Sequence, residues 1–149
     1  MQTPPSLKPG DKIAIISTAR KISQQELAPA VEMFHKWGFD PIDGKNLFRV
    51  EHQFAGSEQE RAEDLQWALD DESIKAVICA RGGYGTVKII DSIDFSKFTL
   101  YPKWIIGYSD VTVLHSHIQK LYGIETLHAC MPINFPIDGS ENQALTSLR

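Results

Sequence analysis

A chain of 149 residues is about one domain, long enough to bury a core without disulfide or metal staples. With 42% apolar and 23% charged residues it has the composition of an ordinary soluble globular protein. Lys plus Arg number 15 against 19 Asp plus Glu, a net charge of −4 with no basic block, which argues against nucleic acid or an anionic membrane as partner. The longest apolar run, Ala76 to Ala80, is far short of a membrane span. Met1 to Gly10 lacks the apolar stretch of a secretory signal. Cys79 and Cys130 form no metal-site spacing and read as free thiols of a reducing, cytoplasmic compartment.

Pro9-Gly10-Asp11 is a turn signal leading into Lys12 to Ser17, an Ile-rich run that suits a strand covered on both faces. Ser23 and Glu26 form a capping box, and Leu27, Ala30, Val31 and Phe34 follow the spacing of a core-facing helical stripe. Pro29 sits inside that stripe, which favours a later helix start with Pro29 in its first turn; Gly38 ends the helix. Phe39 to Ile42 is a weak second strand, followed by a loop from Asp43 to Gly56. Ser57 and Glu60 cap a second helix whose stripe is Ala62, Leu65 and Leu69, and whose acidic end, Asp70-Asp71-Glu72, reads as a solvated tip. Ala76 to Ala80 is a strand that runs into Arg81-Gly-Gly-Tyr-Gly85 and then a helix carrying Val87 and Ile90. Lys103 to Gly107 is the next strand. It reaches Tyr108-Ser109-Asp110 and a helix with Val111, Leu114, Ile118 and Leu121 on one face, closed by Gly123. Glu125 to Ala129 reads as a last strand. Residues 139–149 read as the start of a connector to a further domain, with residues 1–138 as the first one.

Strands alternating with amphipathic helices predict an α/β fold, a mostly parallel sheet with helices on both faces. Ligands bind such sheets beyond the carboxyl ends of the strands, where Arg81 to Gly85 and Gly107 to Asp110 both fall. Ser109 stands between a buried strand and a helix with Gly107 two residues before it, the pattern of a strained turn that exposes a nucleophilic hydroxyl. The residue at the second glycine position is Val111, so the match is partial, and a helix cap at Ser109 or Asp110 is the plainer reading. The three glycines between Arg81 and Gly85 leave backbone N–H groups free to hold an anionic oxygen, or serve only a tight turn. His115 and His117 diverge on one helix and cannot chelate a metal together, and His128 ends a strand at the right edge without a carboxylate to orient it. No Ser-His-acid set can be assembled from His35, His52, His115, His117 or His128.

Four separated motifs, in order, resemble the LD-carboxypeptidase family of serine peptidases, which includes murein tetrapeptide carboxypeptidases and microcin C self-immunity proteins. They are Leu7-Lys-Pro-Gly-Asp-Lys-Ile13, Arg81-Gly-Gly-Tyr-Gly85, Gly107-Tyr-Ser-Asp-Val-Thr112 and Leu127-His-Ala-Cys-Met131. The last departs from the family at Ala129, where a glycine is expected after the histidine. The resemblance covers nearly the whole chain but only the N-terminal half of the family's architecture. It implies a layered sandwich of the flavodoxin-like or class I glutamine amidotransferase-like kind. It further implies a Ser-Glu-His triad with Ser109 as nucleophile, the Gly83 and Asp110 N–H groups as the oxyanion hole, and the Glu and His in a C-terminal domain absent here. Arg81, Gly82, Tyr84 and His128 would border the substrate pocket. The implied reaction removes terminal D-alanine from murein tetrapeptides in cytoplasmic peptidoglycan recycling, without metal or organic cofactor. On this reading the 149-residue chain folds but is nearly inactive alone, and an apolar face left by the absent domain favours homodimerisation. Three rivals stay open: an immunity-type peptidase cleaving a peptidyl-nucleotide antibiotic, a non-catalytic module using Arg81 to Gly85 to bind an anion or nucleotide, and a purely structural half that serves as partner surface to the absent domain.

Overall fold

Five strands, β1 (Lys12–Ile16), β2 (Asp40–Asp43), β3 (Ile74–Cys79), β4 (Trp104–Gly107) and β5 (Leu127–His128), form one sheet in the order β2-β1-β3-β4-β5. Every pairing is parallel, as the buried, Ile-rich strands predict. The computed structural model describes all residues from Met1 to Arg149. Side chains alternate across the sheet and feed two cores. Ala14, Ile16, Val77, Cys79 and Ile105 face α2 (Glu58–Asp70), α3 (Thr86–Ile89), α4 (Ser96–Leu100) and α5 (Thr112–Tyr122). Ile13, Ile15, Ala76, Ile78 and Ile106 face α1 (Gln24–Lys36) and α6 (Gln143–Leu148). Helices therefore cover both faces, and none is long and apolar enough to cross a membrane.

Both predicted capping boxes form. Ser23 Oγ accepts from the Glu26 N–H at 3.2 Å, and Ser57 Oγ from the Glu60 N–H at 3.2 Å. The first box overrides Pro29: α1 begins at Gln24 and carries the proline in its interior, not in its first turn. The reciprocal cap fixes the start at Gln24, and burial of Leu27, Ala30, Met33 and Phe34 holds the helix together across the N–H that Pro29 lacks. Met33 joins Leu27, Ala30 and Phe34 in the buried stripe, while Val31 is only half-buried. The last turn of α5 also departs from its pattern, since Leu121 is 60% exposed where the stripe predicts burial. The helix stays buried only through Ile118, and Gly123 in the left-handed region closes it. Residues 143–148, expected in a connector, form α6, which Asn142 caps and which buries Leu145.

The acidic end of α2 is more than a solvated tip. Lys103, 3% exposed, runs beneath it and donates from Nζ to the carbonyls of Ala68 (2.9 Å) and Asp71 (2.7 Å), closing the helix. Burial brings the Lys103 pKa down to about 8, from an ordinary lysine value of about 10.4. Between those limits the unfolded chain binds more protons than the folded one, so stability rises with pH across that window. The neutral amine keeps two N–H donors for its two carbonyls, so no bond is lost on the way. Each unit of displacement is about 1.4 kcal/mol, and the expected gain from pH 8 to pH 10 is on the order of 2 kcal/mol. Urea unfolding of the parent and of Lys103→Met at both pH values checks this, since the gain must vanish in the variant.

Candidate active site

The strand order places the topological reversal between β1 and β3, so the segments after these two strands diverge and open a crevice. Residues 17–20 follow β1, residues 80–85 follow β3, and the turn at Ser109 follows the neighbouring β4. All three lie at one edge because the strands are parallel.

Ser109 occupies the left-handed region at φ +60, one of only two non-glycine residues with positive φ. A serine held there stores on the order of 1–3 kcal/mol of strain, which surrounding structure must impose. The cause is visible on either side. Gly107 carries Val111 directly on its Cα: a Cβ there would lie 2.9 Å from both γ-methyls of Val111. Its carbonyl accepts two hydrogen bonds, from the Ala129 N–H at 3.1 Å and from His115 Nε2 at 2.9 Å. A carbonyl only accepts, so Nε2 carries the ring proton and Nδ1 is bare, buried and unpartnered. Burial is the main influence holding the His115 pKa below the ordinary histidine value, with His128 adding to it against the Gly107 bond. The chain thus leaves β4 with its last carbonyl pinned and its next helix packed too close to unwind, and the Ser109 hydroxyl is thrust outward, exposed.

Asp110 does not cap its own helix. Its Oδ2 accepts from the Thr86 N–H (2.9 Å) and the Thr86 hydroxyl (2.6 Å), so it caps α3, which follows the glycine loop. Because the Thr86 proton goes to the carboxylate, Thr18 Oγ1, 2.7 Å away, donates to Thr86. The Thr18 carbonyl is held in turn by Arg61 Nε at 3.2 Å, while Arg61 Nη1 donates to the Gly56 carbonyl at 2.6 Å. Arg61 is 2% exposed and lies 4.8 Å from the Phe54 ring centroid; burial lowers its pKa, opposed by Glu58, Glu51 and Asp110. One chain of polar contacts therefore ties α2, the segment after β1, the glycine loop and the serine turn into a single unit.

Within it, Gly82 packs against the serine, since a Cβ there would sit 3.3 Å from Ser109 Cβ and 3.6 Å from its Oγ. Gly83, at φ +130, lies under the side chain of Arg20, whose Cδ would be 2.6 Å from an added Cβ. The N–H groups of Gly82, Gly83 and Asp110 donate to no acceptor within the chain, and Ser109 Oγ makes no intramolecular bond. Arg81, Gly82, Gly83 and Ser109 line one cleft of about 280 Å³ together with Arg20 and Asn134. Arg81 is paired with Glu26 at 3.6 Å. Tyr84 and His128 do not line that cleft. Tyr84 is 54% exposed with its ring 5.7 Å from Lys88 Nζ, and His128 stands beside Tyr108 and Cys130 in an adjoining depression. No histidine is hydrogen-bonded to Ser109 Oγ, and His115 Nε2 is directed at the Gly107 carbonyl instead. No group of three or more His, Cys, Asp or Glu side chains is placed to hold a metal ion. The sequence reading missed Thr18, Arg61, Thr86 and the Gly107 anchor on His115, because each acts across the sheet rather than within a motif.

The family description "LD-carboxypeptidase N-terminal domain" matches residues 13–129. A Bacillus subtilis protein designated a murein peptide carboxypeptidase is 37% identical over 128 residues, 86% of this chain and 40% of that one. The murein tetrapeptide carboxypeptidase of Pseudomonas aeruginosa is 30% identical over 118 residues, 78% of this chain and 38% of that one. Among solved structures, an MccF-like protein from Bacillus anthracis superposes with a TM-score of 0.86 at 27% identity, over 95% of this chain and 43% of that one. The chain thus spans about two fifths of the length of these relatives. Match and fold agree over the region that holds the serine turn and the glycine loop, and the chain belongs to the LD-carboxypeptidase family, whose N-terminal domain it carries.

Proposed function

We propose that this chain is the nucleophile-bearing part of a serine LD-carboxypeptidase that removes terminal D-alanine from murein tetrapeptides in cytoplasmic peptidoglycan recycling. One observation carries the reading: a strained, outward-facing serine at φ +60 with a glycine loop against its Cβ and unspent N–H groups on both sides. Ser109 Oγ attacks the carbonyl carbon of the scissile amide, and the Gly83 and Asp110 N–H groups take the developing oxyanion. The hydroxyl proton passes through a base to the leaving amine, the C–N bond breaks, and water releases the acyl group from Ser109 in a second step. That base is not among the histidines of this chain; the family's Glu and His are expected from outside it. The 149 residues alone are then nearly inactive.

A second reading is an immunity-type peptidase acting on a peptidyl nucleotide through the same turn; the observation that favours it is the fold shared with the microcin C7 self-immunity protein MccF, solved in complex with aspartyl sulfamoyl adenosine. The two separate in one experiment on a full-length polypeptide carrying this chain. D-alanine release from a murein tetrapeptide, lost in Ser109→Ala, supports the first; cleavage of a peptidyl nucleotide without D-alanine release supports the second. Neither activity in a folded full-length protein leaves a binding module.

A further inference from the structure

Two guanidinium groups border the cleft at Ser109, and they differ in one respect. Arg81 is neutralised by Glu26, 3.6 Å away. Arg20 is exposed, forms no ion pair, and makes no side-chain hydrogen bond. Its position is nonetheless fixed. Its N–H meets the Gly82 carbonyl at 3.4 Å, its backbone bridges to Phe54, and its aliphatic stem lies across the bare Cα of Gly83. Arg20 ends the segment after β1 and Gly83 belongs to the segment after β3, so the pair flanks the crevice at the topological reversal of the sheet. The absence of a Cβ at Gly83 is what lets the arginine stem lie so low over the loop.

We infer that Arg20 binds the terminal carboxylate of the substrate and so restricts the site to chain ends. The inference rests on the peptidase reading above, with Gly83 N–H holding the oxyanion. In such a substrate the free carboxylate belongs to the leaving residue, two bonds beyond the scissile nitrogen. The Arg20 stem rests on the loop that presents the Gly83 N–H, and both residues line the cleft that holds Ser109, where the leaving residue must lie. Guanidinium binds carboxylate through two parallel N–H donors, a geometry that a neutral amide terminus cannot match. Arg81 cannot serve as well, because its charge is already engaged by Glu26.

The test uses a full-length polypeptide carrying this chain and two substrates, a murein tetrapeptide with a free terminal carboxylate and its primary amide. The parent is expected to prefer the free acid. Arg20→Gln is expected to lower kcat/KM for the acid by roughly ten- to a hundredfold, the range for a lost hydrogen bond to a charged group, and mostly through KM. Turnover of the amide stays within about twofold, and Arg20→Lys recovers part of the preference. The acid-to-amide ratio is read within each variant, so partial misfolding leaves it unchanged. Equal loss on both substrates, or no change in the ratio, overturns the role of Arg20 while leaving the peptidase reading intact. A parent that hydrolyses neither substrate overturns both.

Discussion

Ser109→Ala is expected to reduce D-alanine release by the full-length enzyme on the order of 10⁴-fold or more, the usual effect of removing a nucleophile whose partners act only through it. Substrate binding should persist, because the cleft and the N–H groups beside it are unaltered. Stability is expected to stay within about 0.5 kcal/mol, since the hydroxyl is exposed and bonded to nothing in the chain. The strain at φ +60 remains in alanine but not in glycine. Ser109→Gly is therefore expected to be more stable than Ser109→Ala by roughly 1 kcal/mol while equally inactive. Paired urea melts and single-turnover assays check both statements. Turnover within tenfold of the parent in either variant would remove Ser109 from the mechanism.

Local rules carried much of the fold. Two serine-glutamate boxes, Gly38, Gly123 and the Ile-rich strands set helix starts, helix ends and buried strands from neighbours a few residues apart, and the structure follows them. The deviations arise where distant contacts decide. Leu121 has the spacing of a core residue but extends past the helical segment that packs on the sheet. Lys103 reads as the polar start of a strand, yet it closes α2 from beneath, a role that depends on where residues 68 and 71 arrive in space. The candidate site divides the same way. The serine turn and the glycine loop stand out as local sequence because each needs glycine at a fixed offset. Asp110 capping α3, Thr86 relaying to Thr18, and His115 returning to Gly107 join residues from separate elements, and no periodicity marks them.

Gly107→Ala is expected to be the most damaging single methyl added to this chain's site. At φ +158 the backbone lies where L side chains are rare, so an alanine is strained there before any contact is counted. Contact adds to that strain: the new Cβ meets both γ-methyls of Val111 at 2.9 Å and its Cβ at 3.0 Å. Val111 is fully buried under the turn, and it cannot yield without moving the start of α5. Overpacking of this kind costs about 1–3 kcal/mol. The strand end has little freedom to absorb it, because the Gly107 carbonyl is held by both Ala129 and His115. The displacement therefore passes to Ser109 and to the Asp110 N–H two and three residues on, and an ångström of movement at a reacting atom is worth about 10²-fold in rate. Val111→Ala removes the two methyls that collide, at the cost of a cavity. A double-mutant cycle should then give a destabilisation for Gly107→Ala/Val111→Ala smaller than the sum of the single variants by on the order of 1 kcal/mol, with part of the lost turnover restored. Strict additivity in urea melts would mean that the glycine answers to something other than Val111, and the steric account of the turn would fall.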